Sequence, residues 1–208
     1  MENIEELIVK LTQDTEKVRP APHPFRLSLK WMGWALVYLL LSFALTGLRP
    51  DIMLKLHEPW FAAEIAALVA IFISTSVSAA LLSFPDMHQM RRLAFAPVIS
   101  FSLFSLILLF AWRADTPPAP LPAHSFECTL AITLYSLVPA IWTFYSMRKF
   151  ATTHFHWAGS IALLSAFSIG ALWLRLHEIN DSIRHVVEWH YLPMIACGMI
   201  GWGLERKY

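Results

Sequence analysis

Six long apolar stretches, each broken by few polar residues, make up most of the chain. A hydrocarbon core of roughly 30 Å is crossed by about 17 to 25 apolar residues in an α-helix, and each stretch is near that length. The apolar positions are continuous rather than alternating, which indicates helices and not the strands of a barrel. The pattern predicts six transmembrane helices, at approximately residues 31–48, 60–84, 93–112, 128–147, 157–174 and 186–204.

The fourth and sixth of these stretches each contain a proline in their interior. Pro139 lies inside the fourth stretch and Pro193 inside the sixth. Proline removes a backbone donor from a helix, so we expect the helix to bend at both positions. These two stretches are therefore plausible moving parts of the molecule.

The first 30 residues are polar overall and follow a different pattern. Ile4, Leu7, Ile8 and Leu11 are spaced i, i+3, i+4 and i+7, which predicts one apolar face on a short amphipathic helix. The opposite face is mostly acidic, so a groove on a partner protein suits this helix better than an anionic lipid surface. A tether without a partner is the main alternative, because so short a helix is marginal on its own.

Composition agrees with an integral membrane protein. Hydrophobic residues make up 57% of the chain and charged residues 15%, whereas soluble domains carry about 25% charged residues. A net charge of +1 excludes a nucleic-acid binder held by bulk charge. The predicted fold is therefore all-α: a partner-binding cytoplasmic segment, residues 1–30, followed by a transmembrane domain of six helices, residues 31–208.

Lysine and arginine positions indicate the orientation. With the N-terminus inside, 11 of the 16 Lys and Arg residues lie in inner segments and 5 lie in outer links. Positive charge is enriched on the cytoplasmic side of membrane proteins. Both termini are therefore predicted to be cytoplasmic.

The predicted outer face gathers residues that bind metals. Cys128 opens the fourth stretch from that side, and carboxylates such as Glu127, Glu178 and Glu188 lie near it in the predicted topology. Cysteine, histidine and carboxylate side chains are the ligands of zinc and related metals. No pair has a diagnostic spacing, so solvated loop residues are the alternative. Five of the nine histidines belong to this face: His57, His124, His177, His185 and His190.

Glu64 lies about one helical turn inside the second stretch. A carboxylate at that depth is costly unless it is paired, protonated or near water. Its candidate partners are Arg49, Lys55, Arg175 and His190. The alternative is that its side chain extends back to the membrane surface.

The two cysteines are predicted to lie at different depths. Cys128 is at the outer edge, whereas Cys197 is roughly 16 Å deeper along the sixth helix. The Cα atoms of a disulfide lie within about 7 Å of each other, so an internal disulfide is not expected. Cys128 is the candidate redox thiol.

Several short motifs occur in a fixed order along nearly the whole chain. They are Val18-Arg19-Pro20, Gly47-Leu48-Arg49-Pro50-Asp51, Cys128 at the outer start of the fourth stretch, Leu176-His177, Asp181-Ser182, Val186 and Trp189. In this order, and with this topology, the chain resembles the NrsF family of bacterial anti-sigma factors, whose name abbreviates negative regulator of sigma F.

The resemblance implies a concrete function. Members of the family are six-span inner-membrane proteins that hold an extracytoplasmic-function (ECF) sigma factor through the cytoplasmic N-terminus. Oxidant or heavy-metal stress is sensed at two outer cysteines and releases the sigma factor. Cys128 matches the first of these cysteines, but Glu178 occupies the position of the second, and His190 replaces an aromatic residue. A single-thiol sensor or a Cys/His/Glu metal site would have to replace the two-cysteine switch.

We therefore predict a non-enzymatic anti-sigma factor of the bacterial inner membrane, which contacts lipid and a sigma factor but no nucleic acid directly. The predicted sigma-binding residues are Ile4, Leu7, Ile8 and Leu11, and Cys128 is the predicted sensor. The predicted ligands of a Zn or Cu ion at the periplasmic face are Cys128, His177, Glu178, His124 and His190.

Three alternatives remain open on the sequence. The first is a small membrane transporter or metal-handling subunit with a periplasmic His/Cys/Glu site, although no stretch has a charge at its centre. The second is a b-type haem protein, which needs two axial histidines within the spans. The third is a purely structural subunit of a membrane complex.

Overall fold

The computed structural model describes residues 22–85, 90–114, 125–150, 152 and 154–204, together with positions 4, 8, 9 and 12. The described residues form helices and no strands, which confirms the all-α prediction. A π-helix, Val187–Tyr191, lies between the last two α-helices. The α-helices are α1 Pro24–Thr46, α2 Ile52–Lys55, α3 Pro59–Leu82, α4 Arg91–Ala94, α5 Ala96–Ala114, α6 Ser125–Met147, α7 Phe155–His177, α8 Ile183–Val186 and α9 Leu192–Leu204.

Within the described ranges, five helical segments are long and apolar enough to cross a membrane. They are α1, α3, the segment Arg92–Ala114 that contains α5, α6 and α7. The sequence predicted six such helices, and the sixth, over 186–204, is not a single α-helix. It is divided into α8, the π-helix and α9, and α9 has 13 residues.

Pro193 explains this division. Proline has no N–H, so the carbonyl of Trp189, four residues earlier, loses its usual helical donor. Just before the proline, the N–H of Leu192 donates to the carbonyl of Val187, five residues back, which is the π-helical pattern. The freed carbonyl of Trp189 accepts a hydrogen bond from the hydroxyl of Thr129 on α6, at 3.0 Å. The proline thus widens one turn, and a neighbouring helix supplies the missing donor.

Pro139 has a similar effect without interrupting its helix. The α-helix α6 continues through Pro139, and the carbonyl four residues earlier, on Tyr135, accepts a hydrogen bond from the hydroxyl of Tyr38 on α1 at 3.0 Å. Of the two stretches with these prolines, only the one with Pro193 is divided.

The first helix begins earlier than predicted. Pro24 lies in its first turn, where a missing N–H costs nothing, and the imidazole of His23 accepts a hydrogen bond from the N–H of Phe25. Residues 24–30, which the sequence analysis assigned to the N-terminal segment, therefore belong to α1. The helix ends at Gly47, whose φ of 81° is readily adopted by glycine.

The central helix of the bundle is α7. Of its most apolar 18 residues, 78% are buried, against 11% for α1 and 17% for the α5 segment. Small residues allow close approach of its neighbours, and hydroxyls bridge the contacts: Ser165 bonds to Ser76 of α3 at 3.0 Å, and Ser160 donates to the carbonyl of Gly198 at 2.5 Å. The outward faces of α1, α5 and α6 expose large apolar side chains, among them Leu40, Leu45, Ile99, Leu106, Leu134 and Ile141.

Gly201 of α9 lies directly against the backbone of α7. A Cβ atom at this position would lie 2.6 Å from the carbonyl oxygen of Gly159, which cannot rotate away. We expect Gly201→Ala to lower the free energy of unfolding by about 1–3 kcal/mol, because overpacking forces the two helices apart. Denaturant titration in detergent micelles measures this loss. The matched control is Gly33→Ala, where nothing lies within 4 Å of the added Cβ. An equal loss of unfolding free energy in both variants would contradict the close contact of Gly201 with the backbone of α7.

Candidate functional site

The buried carboxylate of Glu64 is fully paired. It is 4% exposed, which excludes extension to the surface. Arg175, near the end of α7, donates to it from Nε at 2.9 Å and from Nη2 at 3.2 Å. The hydroxyl of Tyr191, in the π-helix, donates to the same carboxylate. Of the four candidate partners named from the sequence, the structure therefore selects Arg175.

This pair belongs to a larger group of charges at one end of the bundle. Arg175 also donates to Asp181 at 2.8 Å, and Arg49 joins Asp181 to Asp51 through bonds of 2.8 Å each. The ring of Phe61 lies under both guanidinium groups, 4.6 Å from Arg175 and 5.4 Å from Arg49. We call this group the ionic network; its members are Arg49, Asp51, Lys55, Glu64, Arg175 and Asp181.

The charges in the connecting segments hold one another ionised. Burial raises the pKa of Asp181, but hydrogen bonds from Arg49, Arg175 and Lys55 outweigh it and hold that pKa well below its usual range. The hydrogen bond from Arg49 likewise lowers the pKa of Asp51. Asp51 and Asp181 therefore stay ionised at neutral pH. The ion pairs of the network join the link after α1, α2, α3, α7 and the link after α7 to one another.

A second group of side chains, beside the ionic network, joins α6 to the last helical segment. Cys128 Sγ on α6 lies 3.6 Å from Nε2 of His185, and the rings of His185 and His190 meet edge to face with centroids 5.1 Å apart. One ligand atom from each of the three residues lies within 4.8 Å of the others. We call Cys128, His185 and His190 the Cys–His cluster.

The π-helix brings the two histidines together. His185 and His190 are five residues apart, which in an α-helix places them about 140° apart around the axis. A π-helix pairs residues five apart, so its wide turn brings such positions onto a common face. The bond from Thr129 to the carbonyl of Trp189 then holds this turn against α6, next to Cys128.

Several polar atoms around the cluster have no hydrogen-bond partner among the described residues. Both ring nitrogens of His190, which is 0% exposed, are unpartnered, and so is Nδ1 of His185, which is 1% exposed. Nε1 of Trp189 is also unpartnered. Leaving a buried donor or acceptor unsatisfied costs about 1–3 kcal/mol, so a concentration of such atoms needs an explanation.

The structure gathers only part of the metal-ligand set that the sequence suggested. Cys128 and His190 are in the Cys–His cluster, whereas His124 lies outside the described residues. The third member, His185, was among the outer histidines but not in the suggested set. The signal that could have found it is its five-residue spacing from His190. A π-helix brings residues five apart onto one face, whereas an α-helix does not.

The other two suggested ligands have different partners. His177 stacks on Trp173, with centroids 5.2 Å apart, and its Nδ1 donates to the carbonyl of Gly47 at 3.0 Å. The carboxylate of Glu178 accepts a hydrogen bond from the N–H of Asn180 at 3.4 Å. Neither side chain supplies a ligand atom to the Cys–His cluster.

The predicted sigma-binding residues are described in part. Ile4 and Ile8 are helical and exposed, with 73% and 54% of their surface accessible. Leu7 and Leu11 lie outside the described residues. Two apolar side chains one turn apart are therefore available to a partner.

Comparison with models of protein families gives a match over residues 11–208, to the model described as NrsF, negative regulator of sigma F. The matched region contains every helix listed above, the ionic network and the Cys–His cluster. No curated protein and no solved structure matches the chain.

Removing Arg175 would leave the carboxylate of Glu64 buried without its cation. We expect Arg175→Ala to lower the free energy of unfolding by about 3–5 kcal/mol, the usual cost of breaking a buried pair from one side. The control is Arg184→Ala, which breaks the exposed pair of Arg184 with Glu188 and should cost at most about 0.5 kcal/mol. Denaturant titration of both variants tests this, and similar losses would refute the structural role of the buried pair.

The lowered pKa of Asp181 predicts a dependence of stability on pH. A carboxylate with a lowered pKa stabilises the fold above the ordinary value of about 3.9, and this contribution is lost as pH falls below it. We expect Asp181→Asn to be less stable than the wild type at neutral pH, and to lose less stability on acidification below about pH 4. Unfolding midpoints across that pH range measure both effects, with Glu188→Gln as the exposed-acid control. Parallel pH profiles for Asp181→Asn and the wild type would contradict this.

Proposed function

The chain belongs to the NrsF family of negative regulators of sigma F, and on this premise we propose that it is a membrane-bound anti-sigma factor. The family description names a sigma factor as the partner, and we propose one of the ECF type. The protein holds this partner at the membrane and releases it on a periplasmic stress signal, an oxidant or a metal. The family match over 11–208 is the observation that carries this proposal, and it also favours a regulator over an enzyme.

The bacterial inner membrane is the proposed location. Five apolar helices of membrane-spanning length, with large apolar side chains on their outward faces, support it. For the sixth span we propose α8, the π-helix and α9 together, since they run without a break from Ile183 to Leu204. At 1.5 Å per residue this path is about 30 Å long, the thickness of a hydrocarbon core. The distribution of Lys and Arg supports cytoplasmic termini.

The proposed sigma-binding surface is the apolar face formed by Ile4, Leu7, Ile8 and Leu11. An exposed apolar stripe on a short helix gains its stability by entering a groove on a partner. The exposure of Ile4 and Ile8 supports this assignment. The acidic residues on the other face would remain in water and oppose docking onto an anionic membrane.

The proposed sensor is Cys128, at the opposite end of the bundle from the start of α1. A signal shifts a two-state protein only by binding one state better than the other, so the sensor has to contact a part of the molecule with two arrangements. We propose the π-helix as this part: the hydroxyl of Thr129, next to Cys128, donates to the carbonyl of Trp189 within it, and the hydroxyl of Tyr191, its last residue, donates to Glu64. A change at Cys128 would thereby reach the ionic network.

Capture of the partner tests the sigma-binding surface. We expect the tagged wild-type chain, purified from unstressed cells in mild detergent, to retain a sigma factor identifiable by mass spectrometry. The variant Leu7→Asp with Leu11→Asp should retain at least tenfold less, because two carboxylates would have to enter an apolar groove.

The matched control adds the same charge at the same spacing on the opposite side of the predicted helix, as Val9→Asp with Gln13→Asp, and should capture the partner normally. Equal loss in both double variants would indicate a general charge effect and refute the stripe. Absence of any sigma factor with the wild type would refute the anti-sigma proposal.

A further inference from the structure

We propose that the Cys–His cluster is a metal site that binds one Cu(I) ion through the thiolate of Cys128 and one ring nitrogen each of His185 and His190. The ligand set differs from the five residues suggested by the sequence, and it rests on the three side chains that the fold brings together.

The geometry fits a three-ligand site. With metal–sulfur and metal–nitrogen bonds of about 2.3 Å and 2.0–2.1 Å, a trigonal or tetrahedral centre separates sulfur from nitrogen by about 3.5–3.8 Å. Cys128 Sγ and His185 Nε2 are 3.6 Å apart. The third ligand atom, on His190, is within 4.8 Å of both, so a small rotation of its ring closes the site.

The unpartnered imidazole nitrogens point to a ligand independently of these distances. His190 is fully buried and has no partner at either nitrogen among the described residues. Burying a neutral imidazole in this state is costly, and a bound metal ion would accept the lone pair of one nitrogen. The two histidines are thus buried groups with unpartnered ring nitrogens, and a metal ion bound at the cluster would take up the lone pair of one nitrogen of His190.

Charge selects Cu(I) over Zn(II). One thiolate and two neutral imidazoles carry a single negative charge, which Cu(I) neutralises, whereas Zn(II) would leave a net positive charge beside two histidines that are at most 1% exposed. Thiolate ligands also favour soft Cu(I). On binding, the Cys128 thiol releases its proton to solvent as the sulfur–copper bond forms. The imidazoles donate lone pairs, and no electron is transferred.

The site would also regulate the protein, an inference that rests on the function proposed above. Holding both histidines on one ion requires the wide turn of the π-helix, because α-helical backbone would place them on different faces. Cu(I) would therefore stabilise the arrangement containing this turn, and by linkage would change the affinity for the sigma factor.

Titration of the purified full-length chain with Cu(I) tests the site. The protein, in detergent micelles without oxygen, competes with a coloured Cu(I) chelator of known affinity. We expect one Cu(I) per wild-type chain, and at least tenfold weaker binding by Cys128→Ser and by His190→Gln. The matched controls are Cys197→Ser, the other half-buried thiol, and His177→Gln, a histidine outside the cluster. Both should bind as the wild type does.

Three results would overturn the proposal: wild-type affinity in Cys128→Ser, equal loss in Cys197→Ser, or one Zn(II) per chain with no Cu(I) binding in a parallel titration. Thermal unfolding without metal checks the fold, and we expect Cys128→Ser to keep the wild-type midpoint. If its midpoint falls, Cu(I) titration of His185→Gln and His190→Gln tests the site at the other two ligands instead.

A separate measurement distinguishes the regulatory claim from the site. The sigma factor captured by the wild type is challenged with Cu(I), and we expect release from the wild type but not from His190→Gln. If the wild type binds Cu(I) without releasing its partner, the metal site stands and the regulatory claim fails. If no sigma factor is captured at all, the proposed function fails while the titration still decides the site.

Discussion

A carboxylate inside an apolar helix bundle has to be neutralised, and the arrangement of this molecule follows from the way Glu64 meets that requirement. Arg175 supplies two donors and Tyr191 a third, so α3, α7 and the π-helix must meet at one point. Nη1 of Arg175 donates to Asp181, which in turn binds Arg49. A single buried acid therefore determines the positions of three helical segments and of the links beside them.

A second constraint is that backbone carbonyls in apolar surroundings need donors. Pro139 and Pro193 each remove one, and in both cases a hydroxyl on a neighbouring helix replaces it, from Tyr38 and from Thr129. Each replacement joins two helices that are distant in sequence. The prolines therefore contribute to tertiary structure through the carbonyls they leave free, and the second of them creates the turn on which the Cys–His cluster depends.

Much of this fold was predictable from hydropathy, and the exceptions have local causes. The apolar stretches predict five of the long helices because length and composition decide whether a segment is helical in an apolar environment. Hydropathy does not register a capping histidine, so the start of α1 at Pro24 was placed seven residues too late. Pro193 predicted a bend in the last segment, but hydropathy carries no information on the hydrogen-bond pattern, so the division into α8, the π-helix and α9 was not predicted.

The site was predictable only as a list of candidates. Arg175 was one of four candidate partners of Glu64, but the two residues are 111 positions apart and only packing can select between such distant partners. Cys128 and His190 were both suggested as ligands from their residue types and predicted depth. His185 was named among the outer histidines but not as a ligand, and at 3.6 residues per turn an α-helix would place it on another face from His190.

The wide turn has a mechanical consequence. It holds one residue more than an α-helical turn, so it can travel along the helix by exchanging one carbonyl acceptor at a time, without unfolding the segment. Each residue that it passes rotates by about 100° and advances by about 1.5 Å. Displacing the turn past His190 would therefore rotate and advance the chain together, which would carry that ring away from Cys128 and Tyr191 away from Glu64 in the same movement.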